Sequence, residues 1–191
     1  MKTACLSLLM VTCFLINKTN AQVGYIITQK GDTIKGEINI GVFGGGKFKA
    51  VGQSDYMPVK IDTLKEYQLS DSSVFVLKRI PRSTANMFSK PQILQRIEHG
   101  RINLYQYVPP AGDPIITWYA SKGTDSLITI KTSDIFLAGG GSKKKRMAIL
   151  SNMFADEPDV QAAFNTTRKF DFNTIQICIR RYNKAAGSTG K

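Results

Sequence analysis

The chain is expected to fold as an α+β protein: a mostly antiparallel β-sheet, curled or barrel-like, followed by C-terminal helices packed against it. Three observations lead there. Between residues 22 and 138, short β-branched and aromatic runs alternate with turn signals. After Gly139-Gly140-Gly141 the apolar spacing changes to three and four. The apolar fraction, 42%, is that of a globular chain, and 191 residues suit one domain or two very small ones.

The first element is an address. Met1-Lys2 is a short positive segment, Ala4 to Ile16 is an uncharged, mainly apolar run, and Thr19-Asn20-Ala21 fits a small-residue cleavage site. Residues 1–21 are therefore expected to be a secretory signal peptide. The run is too short for a membrane-spanning helix, which needs roughly 20 apolar residues. Met10-Val11-Thr12 before Cys13 is a poor lipid-attachment box. Cleavage after Ala21 removes Lys2 and Lys18 and no acid, leaving 24 basic against 14 acidic residues, net +10. It also removes Cys5 and Cys13, so Cys178 is the one thiol left and no intrachain disulfide is expected. The body must then hold itself by its core, and about 170 residues bury roughly 70% of their unfolded surface.

Strands are expected next, over residues 22–138. Val23 to Thr28 and Thr33 to Ile40 flank the turn Gln29-Lys30-Gly31-Asp32. A glycine-rich loop, Gly41 to Gly46, precedes a short strand at Lys47 to Val51. Tyr56 to Ile61, Leu64 to Leu69 and Ser73 to Ile80 follow, with Ser70-Asp71-Ser72 turning the chain between the last two. Pro81 to Pro91 reads as a loop or edge crossing. Ile93 to Glu98 and Ile102 to Val108 flank a turn at His99-Gly100. After a proline-rich loop over 109–114, Ile115 to Ala120 and Ser126 to Thr132 flank Lys122-Gly123-Thr124-Asp125. Ile102 and Leu104 against Tyr105 and Tyr107 give one strand two apolar faces, so it is expected to be covered on both sides. The hairpins at Tyr25–Ile34 and Trp118–Leu127 look alike, a likeness assigned to shared Lys-Gly turn chemistry.

Residues 139–184 are expected to be helical and packed on the sheet. Met147, Leu150, Met153 and Phe154 share a face of a helix starting near Ser142. Asp156 is expected to cap a second helix with Pro158 in its first turn and Val160, Ala163 and Phe164 as its apolar positions. Asp171 is expected to cap a third, carrying Phe172, Ile175, Ile179 and Tyr182. Cys178, on the same side, reads as a small core residue. Residues 185–191 read as a tail.

Few residues point to chemistry. Gly41 to Lys47 has phosphate-loop spacing, but Phe48 stands where a magnesium-binding hydroxyl is required. Ser142 and Lys145 have the Ser-x-x-Lys spacing of penicillin-binding enzymes without the partner motifs, and Ser142 reads better as an N-cap. His99 is the one histidine, and it falls in a turn. No Cys/His or carboxylate cluster has metal spacing, so no catalytic residue, metal or cofactor is expected. The charge is uneven. Residues 22–138 hold 14 basic and 10 acidic residues, residues 139–191 hold 10 and 4, and Lys143-Lys144-Lys145-Arg146 is the densest run. At a helix start these cations oppose the helix dipole by roughly 0.3–1 kcal/mol each. Either the helix begins later or something anionic offsets the clash, which makes Ser142, Lys143, Lys144, Lys145 and Arg146 a candidate anion site.

Several short motifs occur in order: Gly24-Tyr25-Ile26-Ile27-Thr28 with Gly31-Asp32-Thr33-Ile34-Lys35-Gly36, His99-Gly100-Arg101-Ile102-Asn103-Leu104-Tyr105, Lys122-Gly123-Thr124-Asp125-Ser126-Leu127, Lys143-Lys144-Lys145-Arg146 and Ile179-Arg180-Arg181-Tyr182-Asn183. In this order, after a signal peptide, the chain resembles exported proteins of Bacteroidota-type bacteria, a group that brings no known activity. The resemblance implies export in a Gram-negative cell, to the periplasm, the outer-membrane periphery or the medium. The expected function is a non-enzymatic envelope protein that binds or scaffolds. Its expected partner is an anionic envelope lipid or glycan at the basic segment, or an envelope protein. Nucleic acid is disfavoured, since aromatic interleaving is missing there, and no transmembrane segment is expected in the mature chain. The alternative is a small exported hydrolase using dispersed carboxylates.

Overall fold

The computed structural model describes residues 23–41, 45–81, 91–107, 115–133 and 142–188. The signal peptide expected over 1–21, most of the loop expected over 81–91, the loop over 109–114 and the glycine run 139–141 lie outside the described residues. Among those described, ten strands form one antiparallel sheet: β1 Tyr25–Thr28, β2 Thr33–Ile40, β3 Gly45–Ala50, β4 Met57–Lys60, β5 Leu64–Gln68, β6 Val74–Lys78, β7 Gln92–Glu98, β8 Ile102–Tyr107, β9 Thr117–Lys122 and β10 Ile128–Thr132. Three helices follow, α1 Lys143–Met153, α2 Pro158–Asn165 and α3 Phe172–Ser188. The fold is α+β, and the sheet does not close into a barrel.

Chain connectivity dictates its shape. The strand order is β10-β9-β8-β7-β6-β5-β1-β2-β3-β4, so β4 lies four strand positions from β5. In a flat sheet that is about 19 Å, at about 4.8 Å per strand. Only residues 61–63 join the two, wound as a single 3-10 turn, and such a turn rises about 2 Å per residue. The link is too short for a flat sheet, so β1 to β5 curl until β4 approaches β5. Ile26, Ile38, Phe48, Ile61, Leu64 and Tyr67 fill the curl, and Tyr67 stacks on Phe75 at 5.0 Å and 12°.

Residues paired across antiparallel strands share a face. By that register the face holding Ile26 and Tyr67 continues through Phe75 and Gln95 to Gln106 and Trp118. At its far end the helices cover it. Ile102, Leu104, Trp118, Ala120 and Ile130 meet Leu150, Phe154, Phe164, Ile175, Ile179 and Tyr182 in the largest cluster. Val76, Leu94, Tyr105 and Tyr119 form a third cluster on the opposite face, with Ile80 and Leu127. The strand expected to be covered on both sides, β8, contributes to both.

The helices depart from expectation in three places. The N-cap of α2 is Glu157, which makes no side-chain capping bond. Asp156 does not cap, because its carboxylate is held by Lys122, Arg101 and Tyr182 instead. Val160 and Phe164 are buried as expected, while Ala163 is exposed. Helix α3 continues to Ser188, beyond Lys184, as Ala185 and Ala186 keep packing against the main cluster. Its start is as expected, with Asp171 Oδ1 accepting from the Thr174 amide at 2.8 Å. Cys178 is half-buried against the same cluster. The two similar hairpins share a turn glycine at positive φ, 96° at Gly31 and 56° at Gly123. The strand resumes at Thr33 after the first and only at Ile128 after the second.

Candidate functional site

Ser142 caps α1. Its hydroxyl accepts from the Lys145 amide at 3.3 Å, and its carbonyl accepts from the Arg146 amide at 3.1 Å. The helix therefore begins at Lys143, and all four cations of the basic run stand in its first turn, where there is no acidic residue. Lys143, Lys144 and Lys145 are exposed and Arg146 is half-buried. The structure brings them to a fifth cation, Lys131 of β10. Burial, and then the charge of Arg146, push the Lys131 ammonium below its ordinary value; Asp171 opposes the shift and Lys143 adds to it. Its Nζ lies 5.8 Å from the Phe170 ring and 5.2 Å from the Phe172 ring. Sequence reasoning missed Lys131, since nothing in a strand of Ile128-Thr129-Ile130-Lys131-Thr132 announces which helix end will pack beside it. The result is a cationic surface at the positive end of a helix dipole.

A second polar centre joins helices to sheet. Asp156 receives Lys122 Nζ at 2.6 Å, Arg101 Nη2 at 2.8 Å and the Tyr182 hydroxyl at 2.9 Å. Lys122 Nζ also donates to the Met153 carbonyl at 2.8 Å and lies 5.2 Å from the Tyr182 ring. Burial works to raise the Asp156 carboxyl, but the bonds from Lys122 and Tyr182 outweigh it and hold the group below its usual range. The next residue of α3, Asn183, receives the Ile102 amide on Oδ1 and donates Nδ2 to the Ile102 carbonyl, both at 2.8 Å. This needs Gly100, where a Cβ would stand 2.4 Å from the Asn183 side chain. Glu98 accepts from Gln176 at 2.8 Å and from the Arg180 guanidinium. Motif residues far apart in sequence, Gly100-Arg101-Ile102, Lys122 and Tyr182-Asn183, thus meet in one joint. The joint explains their presence by assembly rather than chemistry. Beside it runs a groove of about 280 Å³ lined by Lys122, Asp125, Ile128, Ile149, Asn152 and Met153.

The remaining sequence motifs fall where their surroundings give them structural work. Gly45–Ala50 is a strand, so no helix follows the glycine-rich loop, of which residues 42–44 lie outside the described residues. His99 is exposed, with Nδ1 2.8 Å from Asn103 Oδ1. Among the described residues, Glu66, Glu98 and Asp156 sit in ion pairs. Glu66 takes both Nη groups of Arg96 at 3.0 and 3.2 Å and the Tyr25 hydroxyl at 2.5 Å, while Glu98 and Asp156 are held as above. Among the described residues, no group of three or more metal-ligating side chains occurs, and no helix is long and apolar enough to cross a membrane.

Set against known proteins, the chain matches no family model, no curated protein and no solved structure.

Proposed function

We propose that this chain is an exported, non-enzymatic protein of the cell envelope, one that binds or scaffolds by holding an anionic envelope component at Ser142–Arg146 and Lys131. One observation carries the reading: four consecutive cations occupy the positive end of α1 beside a fifth on β10, with no acid in the first turn. The helix dipole opposes each first-turn cation by roughly 0.3–1 kcal/mol, and an anion held against them relieves that opposition. The order of the short motifs, which resembles exported proteins of Bacteroidota-type bacteria, supports the compartment. The pairing of Glu66, Glu98 and Asp156 with cations supports binding over hydrolysis, because paired-carboxylate chemistry needs two carboxyl groups facing a substrate.

The test replaces Lys143, Lys144, Lys145 and Arg146 together by Gln. Wild type binds phosphatidylglycerol vesicles and not neutral ones, and binding weakens with salt as exposed charges are screened. At about 1 kcal/mol per cation near an anionic surface, the variant binds at least a hundredfold more weakly. Unchanged binding by the variant refutes the contact role.

A further inference from the structure

The register that links the two covered ends of the sheet also sets one row of side chains across it. Phe75, Gln95, Gln106, Trp118 and Lys131 are successive partners on β6, β7, β8, β9 and β10. Phe75 packs against the curl and Trp118 belongs to the helical cluster, so Gln95 and Gln106, both half-buried, lie in the row between these bodies. Tyr67 stacks on the Phe75 ring from β5, and Gln95 is the register partner of Phe75 on the other side, on β7. Opposite, Phe172 seats on Trp118, with centroids 4.7 Å apart at 63°. Trp118 Nε1 donates to Gln106 Oε1 at 2.9 Å, which leaves the Gln106 amide nitrogen as a donor. Gln95 has no side-chain partner among the described residues and is half-buried. Beyond Phe172 comes Lys131, and beyond that the first turn of α1.

This order of groups has a chemical meaning. A sugar ring presents an apolar C–H face to an aromatic ring and a rim of hydroxyls to amides, each of which both donates and accepts. A carboxylate on that sugar pairs with an ammonium. We infer that the interval between the curl and the helices is a saccharide site, floored by Gln95 and Gln106 and walled by Phe75 and Phe172, for an acidic glycan whose carboxylates reach Lys131 and the basic segment. The inference rests on the anion-binding reading above and names its ligand.

The reporter is built in, because Trp118 is the one tryptophan of the chain. The full chain is titrated with a galacturonic acid tetramer while Trp118 fluorescence and its indole N–H resonance are followed. Wild type gives a saturable change, and Gln95→Ala, which removes no bond among the described residues and so keeps the unfolding midpoint, binds about tenfold more weakly. Phe75→Leu weakens binding in the same direction. A silent Trp118 at millimolar sugar, or Gln95→Ala binding as tightly as wild type, overturns the site. The vesicle assay separates the two readings. If the four-Gln variant loses vesicle binding while Trp118 stays silent, the saccharide site is overturned and the anion-binding reading stands.

Discussion

The two ends of the sheet are covered on one face by different means. At the C-terminal end three helices bury Leu150, Phe154, Phe164, Ile175, Ile179 and Tyr182 over β8 to β10, and none of these six is exposed at all. Side chains then fix the position: Asn183 on the Ile102 backbone, Arg180 and Gln176 on Glu98, Tyr182 with Lys122 and Arg101 on Asp156. At the N-terminal end the sheet covers itself. Its cluster of six includes residues that retain 4–8% exposure, and Val51 and Met57 at the β3–β4 turn are 67% and 60% exposed. One end is a layer locked by polar bonds, the other a curl held by strand pairing and a short link. The difference teaches where rigidity is placed: the cationic surface stands on the locked end, on α1 and β10.

The sharpest way to break this comparison is to empty one cluster at a time. Phe164→Ala, at a site with no exposure, costs about 4 kcal/mol, and Phe48→Ala in the curl costs about 3 kcal/mol. Denaturant unfolding reads both. Hydrogen exchange reads their reach: loosening confined to β1–β5 for Phe48→Ala, and spreading over β8–β10 and the helices for Phe164→Ala. Equal spreading from both would erase the distinction.

A smaller effect tests the lock itself. Asp156→Asn keeps the shape and loses two ion pairs that are partly exposed, so it costs about 1–2 kcal/mol at neutral pH. The carboxyl is held below its usual range in the folded chain, so its contribution is full above the ordinary carboxylate range and fades as pH falls through the folded value. The gap between wild type and variant in an unfolding series therefore narrows in acid. A gap constant with pH would mean that Asp156 acts by shape alone.

The smallest effect lies on the opposite face, where Tyr25, Glu66 and Arg96 tie β1, β5 and β7 together. Burial, and then the bond and charge of Glu66, push the Tyr25 phenol up to about 12. In Glu66→Gln burial remains and the charge goes, so the Tyr25 ring resonance titrates at lower pH. No movement would assign the shift to burial entirely.

How much of this was legible follows from the range of each cause. The strands and helices were readable because their signals are local: the apolar run Ile102 to Val108 between a turn and a proline-rich loop, and the stripe Phe172, Ile175, Ile179, Tyr182 behind Asp171. The curl was legible only as one option among sheet shapes, because it depends on β1 pairing with β5 rather than on any residue within either strand. Asp156 was misread for a similar reason. An Asp two residues before a Pro is a reasonable cap in sequence, but Lys122 and Arg101 arrive from distant turns and outcompete the helix amides. Of the site, Ser142 to Arg146 were visible as a charge run, and the start of α1 at Lys143 turns that run into an electrostatic problem. Lys131 was invisible, since its place beside α1 is a product of packing.

The most direct test of the central claim is to follow backbone amide resonances while inorganic phosphate is added. Saturable shifts of residues 142–146 and of Lys131, suppressed by salt and absent from the four-Gln variant, are the predicted result. Shifts confined to other basic residues, such as Arg168 and Lys169, with residues 142–146 unmoved, would contradict it.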